Sequence, residues 1–128
     1  MERLLRRLHA TCLVAAGVLV IGLVVGHSIR VARVHQNSMA PTVRDGQLLF
    51  CIRAGVLAVF SRHPSAGDVA LIQAGNAMLV KRIDHLGISS ITGEATAYVL
   101  GDNPIQSTDS RSFGAVPIQN IEAICGTN

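Results

Sequence analysis

One uncharged segment near the N-terminus constrains what this chain can fold into. Residues 8–29 contain no Asp, Glu, Lys or Arg, and residues 12–26 are almost entirely Val, Leu, Ile, Ala and Gly. A helix rises about 1.5 Å per residue, so these 22 residues reach about 33 Å, enough to cross a bilayer core of roughly 30 Å. We therefore predict a basic start and a transmembrane helix in residues 1–30, and one separate domain in residues 31–128.

A cleavable signal peptide is the alternative for this segment, since it has a similar basic start and apolar middle. The apolar run is long for the core of a signal peptide, however, and residues 26–30 are a poor cleavage site. We therefore expect an anchor that stays attached to the domain.

The charges on either side of the segment predict its orientation. Three arginines precede it, Arg3, Arg6 and Arg7, and two follow it, Arg30 and Arg33. An excess of positive charge marks the cytoplasmic side of a membrane span, and the two later arginines weaken this asymmetry without reversing it. We expect a single pass through a lipid bilayer, a cytoplasmic N-terminus and an extracytoplasmic domain.

The net charge of +3 belongs entirely to the N-terminal segment. Residues 31–128 contain seven Lys or Arg and seven Asp or Glu, and aromatic residues make up 3% of the chain. A neutral domain with so few aromatic side chains lacks the basic surface that nucleic-acid binding requires. We predict no nucleic-acid partner.

Short apolar runs alternate with turn residues from residue 47 onward, which is typical of a mostly-β domain. The predicted strands are 47–53, 69–73, 77–85, 88–92, 97–100 and 116–124. Residues 62–68 form a loop by their Pro and Gly, and Gly87 separates two of the strands.

Cys51 and Cys125 both lie in strand-like apolar stretches. We expect two buried thiols, and a disulfide is the alternative if the domain is extracytoplasmic. The spacing of the cysteines and histidines gives no metal-site pattern, so no metal or cofactor is predicted.

Lys81 is the only lysine in the chain. In a strand, residues 79, 81 and 83 share one face, which places Lys81 between Leu79 and Ile83. Burial there would favour the neutral amine, which can act as a general base, whereas arginine cannot give up its proton. The alternative is an exposed lysine on a strand edge.

Two other segments carry the residue types that such a base requires. Ser38 lies in the turn-like residues 37–42 and is the best candidate for a nucleophile. Residues 101–114 contain more short polar side chains than a turn needs.

Taken together, the three segments resemble type I signal peptidases, which are serine proteases with a Ser/Lys dyad. The nucleophile pattern S-M-x-P-T is matched by Ser38, Met39, Pro41 and Thr42. The general-base pattern K-R after an apolar strand is matched by Lys81 and Arg82. The third pattern is matched by Gly101, Asp102, Asn103, Ser107, Asp109, Ser110, Arg111, Phe113 and Gly114.

The resemblance implies a signal-peptidase-type β-domain and a serine endopeptidase of the plasma (inner) membrane. Its substrates would be precursor proteins with N-terminal signal or leader peptides and small residues at the −1 and −3 subsites. Ser38 would be the nucleophile, Lys81 the general base, and Ser107 would orient the lysine amine. Structural support would come from Arg82, Asp102, Asp109 and Arg111.

The chain departs from the family pattern at two places. Gln36 occupies a position that is often Ser or Gly, and only 19 residues separate Lys81 from Gly101, so the usual inserted cap domain is absent. Such a minimal form fits either a general signal peptidase or a dedicated maturation protease, like those that trim nickel superoxide dismutase precursors. The remaining alternatives are a non-catalytic membrane-anchored β-domain and a self-cleaving repressor protease.

Overall fold

The computed structural model describes residues 1–127, except for the side chains of residues 3–5. Asn128, the last residue of the predicted domain, and the side chain of Arg3 in its basic start lie outside the described residues. Helix α1 covers Glu2–Ser28. Its segment Arg6–Ser28 has a mean hydropathy of 2.4, and none of its apolar window is buried against the domain. The prediction of one N-terminal helix long and apolar enough to cross a membrane is confirmed.

The sheet begins directly where α1 ends. Strand β1, Ile29–Arg33, follows Ser28 without a linker, because Ile29 already has extended backbone angles. β1 pairs antiparallel with β2, Leu48–Arg53. Sequence patterning predicted no strand here, because residues 28–29 read as the end of the apolar span.

The remaining strands complete one seven-stranded antiparallel sheet. They are β3 Val69–Ala74, β4 Ala77–Ile88, β5 Ala95–Leu100, β6 Val116–Pro117 and β7 Ile121–Cys125. The strand order is β1-β2-β7-β3-β4-β5-β6. Two short helices, α2 Ala54–Val59 and α3 Ser110–Phe113, and two 3-10 turns, Pro104–Gln106 and Ile118–Asn120, connect them. The predicted mostly-β class is confirmed.

The predicted strand 88–92 is wrong, and so is the break at Gly87. β4 continues through Gly87 to Ile88, and the chain turns only afterwards. Ser89 makes this turn, since its hydroxyl accepts hydrogen bonds from the backbone N–H of Ile91 and Thr92. The apolar residues at 88 and 91 resemble part of a strand, but the hydrogen bonds of the Ser89 side chain stabilise a turn instead.

The predicted strand 116–124 is divided between two places in the sheet. β6 pairs with β5 at one edge, whereas β7 lies between β2 and β3 near the centre. The 3-10 turn Ile118–Asn120 carries the chain from one position to the other. Helix α2 lies in residues to which no element was assigned from the sequence.

The core lies on both faces of the central strands. Along β3, Val69 and Leu71 belong to one buried cluster, whereas Ala70 and Ile72 belong to the other. A strand that is buried on both faces reads as a continuous apolar run, which is what β3 shows. The first cluster also includes Met39, so the loop after β1 is fixed to the core.

Cys51 and Cys125 form a disulfide, so the expectation of two thiols is wrong. The two residues lie directly opposite each other on β2 and β7. Their sequence separation of 74 residues concealed this pairing, because it depends on which strands become neighbours. The bond joins the N-terminal strand pair to the centre of the sheet.

One face of the β1–β2 pair is apolar and exposed. The β1–β2 apolar face consists of Ile29, Val31, Leu48, Phe50 and Ile52, with exposed fractions from 45% to 67%. Val31 is opposite Phe50 in the pairing, and Ile29 is opposite Ile52. The surface therefore begins one residue after α1 ends.

Candidate active site

Lys81 is a buried lysine in the interior of the sheet. It lies on β4, opposite Ala70 of β3, and only 3% of its surface is exposed. Its amine Nζ donates a hydrogen bond to Ser107 Oγ over 3.0 Å. The prediction of a desolvated lysine is confirmed, and the alternative of an exposed lysine on a strand edge is wrong.

The surroundings of Lys81 favour its neutral form. Burial lowers the pKa of the amine below its ordinary value of 10.5, because the charged form loses its hydration. The negative charge of Asp109 opposes this change, and the positive charge of Arg111 adds to it. The net direction is downward, so the amine is a better base near neutral pH than an exposed lysine.

Ser107 connects the lysine amine to a buried carboxylate. Its hydroxyl donates to Asp109 Oδ2 over 2.6 Å, and Asp109 is completely buried. Hydrogen bonds from Arg111 hold the pKa of Asp109 well below its usual range, so this group stays a carboxylate and can only accept. The hydroxyl proton of Ser107 must therefore point towards Asp109. Its oxygen is left to accept from Lys81, which fixes the position of the amine.

Asp109 also organises the backbone around the site. It accepts from the backbone N–H of Gly101 over 2.9 Å, and from Arg111 Nε and Nη2 over 2.8 and 2.6 Å. The residue begins α3, where its side chain also accepts from the Arg111 backbone N–H. Asp109 thus contacts both the side chain of Ser107 and the backbone of Gly101.

Arg82 and Asp102 form a second network on the other side of β4. Arg82 Nε and Nη2 donate to the two oxygens of Asp102 over 2.8 and 2.6 Å, and Nη1 donates to the Gly67 carbonyl. These hydrogen bonds lower the pKa of Asp102. Arg82 Nη2 also reaches Thr42 Oγ1 at 3.5 Å. This network ties the Ser38 loop, β4 and the segment after β5 together.

Ser38 lies in the loop between β1 and β2 and is half-buried. Its backbone carbonyl accepts from the Asn103 backbone N–H over 2.9 Å. Met39 and Val43, which follow it, have no exposed surface and anchor the loop in the core. The backbone of the loop is thereby fixed from both sides.

Ser38 and Lys81 line one cavity of about 560 Å³. Its walls include β1 residues, such as Val31, and the β4 residues Met78 and Leu79. No hydrogen bond joins the side chains of Ser38 and Lys81, both of which are among the described residues. The cavity is an open cleft between two strands, large enough for an extended peptide segment.

Gly101 permits the close approach of the three segments. A Cβ at this position would overlap the side chain of Ser107 and the carbonyl oxygen of Ser38. Only glycine fits between the loop of the candidate nucleophile and the residue that holds the candidate base. The motif match identified Gly101, but the sequence alone did not explain why this position requires a glycine.

Gln36 and Asp45 are linked in a way that sequence reasoning missed. Gln36 has a left-handed backbone with φ of 79°, and its N–H donates to Asp45 Oδ1 over 2.8 Å. This backbone N–H is therefore occupied and does not face a reacting carbonyl. Asp45, to which the sequence analysis assigned no role, holds the loop that leads to Ser38.

His35 and Glu122 also line the cavity, but within the described part of the chain no hydrogen bond joins either side chain to Ser38 or Lys81. Among the described residues there is no cluster of three or more His, Cys, Asp or Glu that could hold a metal ion. The chemistry this arrangement can support is proton transfer between a hydroxyl group and a buried amine.

Comparison with protein-family models and with curated proteins finds no match to this sequence. The resemblance to type I signal peptidases therefore rests on the residues of the three motifs. The function is argued from the contacts of those residues.

Proposed function

We propose that this chain is a single-pass membrane serine endopeptidase that removes N-terminal signal or leader peptides from exported precursor proteins. Ser38 is the nucleophile and Lys81 the general base. The observation that carries the proposal is the buried amine of Lys81, which is held by Ser107 on the cavity that Ser38 also lines.

The reaction uses the residues in two steps. Lys81 accepts the hydroxyl proton of Ser38 as its oxygen attacks the scissile carbonyl, and it then gives that proton to the leaving amine. Water attacks the resulting acyl-enzyme as Lys81 accepts one of its protons. The ester bond to Ser38 Oγ then breaks, Lys81 returns the proton to that oxygen, and the peptide carboxylic acid leaves. The backbone N–H of Ser38 donates a hydrogen bond to the developing oxyanion. In a Ser-His-Asp triad, a carboxylate orients the histidine. Here Ser107 orients the lysine instead.

Three features support a membrane location with the domain outside the cytoplasm. α1 is apolar over a length that matches a bilayer, and arginines precede it. Disulfides such as Cys51–Cys125 are typical of oxidising compartments. The β1–β2 apolar face continues from the end of α1, as expected for a domain that lies against the membrane. We propose the plasma (inner) membrane.

The cleft matches a peptide in extended conformation. It runs between the edge strand β1 and β4, and apolar side chains such as Val31 and Leu79 line it. An extended peptide can add to an exposed strand edge by main-chain hydrogen bonds, while its alternate side chains enter pockets. The resemblance to the motifs further implies that the substrate has small residues, typically alanine, at positions −1 and −3.

A narrower substrate range is the second candidate, and the β4–β5 connection favours it. Residues 89–94 join these strands in a tight turn with no inserted element. Few elements are then available to bind varied precursors, as expected for a maturation protease with one substrate.

The test is cleavage of a precursor with an Ala-x-Ala site by the full chain in detergent, compared with Ser38→Ala and Lys81→Ala. Cleavage by the wild type that is lost in both variants supports a signal peptidase. Serine-dependent cleavage confined to one precursor supports the maturase. A wild type that cleaves no precursor and does not react at Ser38 contradicts both and favours a binding domain.

A further inference from the structure

A second cavity lies where α1 meets the sheet, and the proposed catalysis does not use it. Its volume is about 570 Å³, and it is bounded by the last turn of α1 and by the start of α2. The lining combines two arginines, Arg30 and Arg53, with one carboxylate, Glu122, and with the apolar side chains of Val24 and Val56. The cavity is therefore both apolar and cationic.

Arg53 is the residue that points to a ligand. Its Nε is buried and has no hydrogen-bond partner within the part of the chain that the structure describes. The half-buried Arg53 side chain forms no ion pair with any described carboxylate, so its guanidinium charge is available to an anion in the cavity. Arg30 donates from Nη2 to Glu122 over 3.2 Å, and its other N–H groups make no hydrogen bond within the described residues.

The charge and the place of the cavity identify the class of anion. Two arginines and one glutamate leave a net charge of 2 − 1 = +1 among its ionised arginine and carboxylate side chains, which complements one phosphate diester. Because α1 ends at Ser28, the cavity lies at the depth of lipid phosphates if α1 spans the bilayer. Arginine binds phosphate with charge-assisted hydrogen bonds, and apolar walls suit the adjoining glycerol and acyl chains.

We propose that this cavity binds the phosphate diester of an anionic phospholipid headgroup, with Arg53 as the principal donor and Arg30 as the second. The inference rests on the membrane location proposed above, but not on the proteolytic activity. It also gives a role to Arg30, a positive charge on the side of the span where such charges are disfavoured.

The test is the thermal unfolding midpoint of the full chain in detergent micelles, titrated with phosphatidylglycerol, phosphatidylcholine or inorganic phosphate. We expect phosphatidylglycerol to raise the midpoint to a plateau, and the same concentration of inorganic phosphate to have little effect. Arg53→Gln should raise the half-saturating phosphatidylglycerol fraction about tenfold, which is the value of one charge-assisted hydrogen bond. Glu122→Gln should lower that fraction, because it removes the competing carboxylate.

Arg44→Gln is the matched control, since Arg44 is an exposed arginine that does not line this cavity. Equal weakening by Arg53→Gln and Arg44→Gln would overturn the proposal, because it would indicate general surface attraction. Saturation by inorganic phosphate in the same range would overturn the lipid assignment. If Arg53→Gln does not fold, Glu122→Gln decides the matter, and unchanged or weaker binding by that variant contradicts the site.

Failure of this inference and failure of the proposed function give different results. A full chain that does not float with phosphatidylcholine vesicles contradicts the membrane location itself. Flotation without any response to phosphatidylglycerol contradicts only the headgroup site. Neither the flotation nor the phosphatidylglycerol titration depends on precursor cleavage, so a chain that cleaves no precursor can still support the headgroup site.

Discussion

Lys81 and Arg82 are neighbours on β4, but they lie in opposite surroundings. The amine of Lys81 is buried and contacts a hydroxyl group, whereas the guanidinium of Arg82 is a third exposed and contacts a carboxylate through two hydrogen bonds. The pKa of the lysine is lowered by burial, and that of the arginine is raised by its hydrogen bond to Asp102. In the proposed mechanism, two successive residues of one strand therefore have different roles, Lys81 in proton transfer and Arg82 in structural support.

The difference shows how a carboxylate can orient a lysine through a hydroxyl group and raise its pKa less than direct pairing would. Asp109 contacts Lys81 only through Ser107, so its charge orients the amine from a distance. Direct pairing, as between Arg82 and Asp102, would stabilise the protonated amine and raise its pKa. The hydroxyl group between Lys81 and Asp109 is therefore central to the proposed chemistry.

The reciprocal exchange of the two residues should have the largest effect. Lys81→Arg keeps the positive charge but cannot release a proton, so we expect kcat/KM for a precursor to fall by about 10²- to 10⁴-fold. Arg82→Lys should keep activity near the wild-type value and lower the free energy of unfolding by about 1–2 kcal/mol, because one two-pronged hydrogen bond is lost at a partly exposed site. A Lys81→Arg enzyme with about a tenth of wild-type activity or more would contradict the separation of roles.

Gly101→Ala should disturb the hydrogen bonds around Lys81, because the change in the backbone segment at residue 101 displaces their partners. The added methyl group meets both Ser107 and the Ser38 carbonyl, so the base and the nucleophile shift relative to each other. A displacement of about 1 Å typically costs about 10²-fold in rate. Gly55→Ala is the control, since a Cβ at Gly55 meets no atom within 4 Å. Equal kcat values in the two variants would argue against a close approach at Gly101.

Ser107→Ala should have a smaller effect on rate. The amine loses the group that orients it but keeps its burial, so we expect kcat to fall about tenfold, the value of one hydrogen bond, with KM little changed. Ser107→Thr keeps the hydroxyl group and should restore most of the rate. Failure of the threonine variant to exceed the alanine variant in kcat would indicate a packing role instead.

We expect substitutions in the Arg82–Asp102 ion pair to have the smallest effect on activity, because this pair stabilises the fold. The pKa of Asp102 is below its ordinary value of 3.8, because Arg82 donates to the carboxylate. A carboxylate with a lowered pKa adds stability above its unfolded pKa, and this contribution is lost as the pH falls through the folded pKa. Asp102→Asn should therefore reduce the drop in unfolding free energy below about pH 4. Identical pH profiles for the wild type and Asp102→Asn would contradict this role.

The sequence revealed the parts of the site that depend on local pattern. A lysine flanked two residues away by apolar positions on a strand predicts its own burial, and the structure confirms this for Lys81. The mostly-β class and the apolar helix follow from equally local patterns. Ser107 and Arg111 were identified through the resemblance of a motif, and their contacts with Lys81 and Asp109 were not derivable from spacing.

Features that depend on strand order escaped the sequence reasoning. The Cys51–Cys125 disulfide requires β2 and β7 to be neighbours, and nothing near either cysteine states this. The hydrogen bond between Gln36 and Asp45 likewise depends on how the loop folds back. The predicted strand 88–92 was wrong for another reason, because the Ser89 side chain forms hydrogen bonds with the backbone that compete with strand pairing.

The most direct measurement is the rate of Ser38 acylation by a serine-directed reagent as a function of pH, followed by mass spectrometry of the intact chain. With Lys81 as the base, the rate should rise with pH as the amine loses its proton, with a midpoint below 10.5. Lys81→Arg and Ser38→Ala should show no labelling above background. Equal labelling of the wild type and Lys81→Arg, or a rate that does not change with pH, would contradict the Ser38–Lys81 dyad.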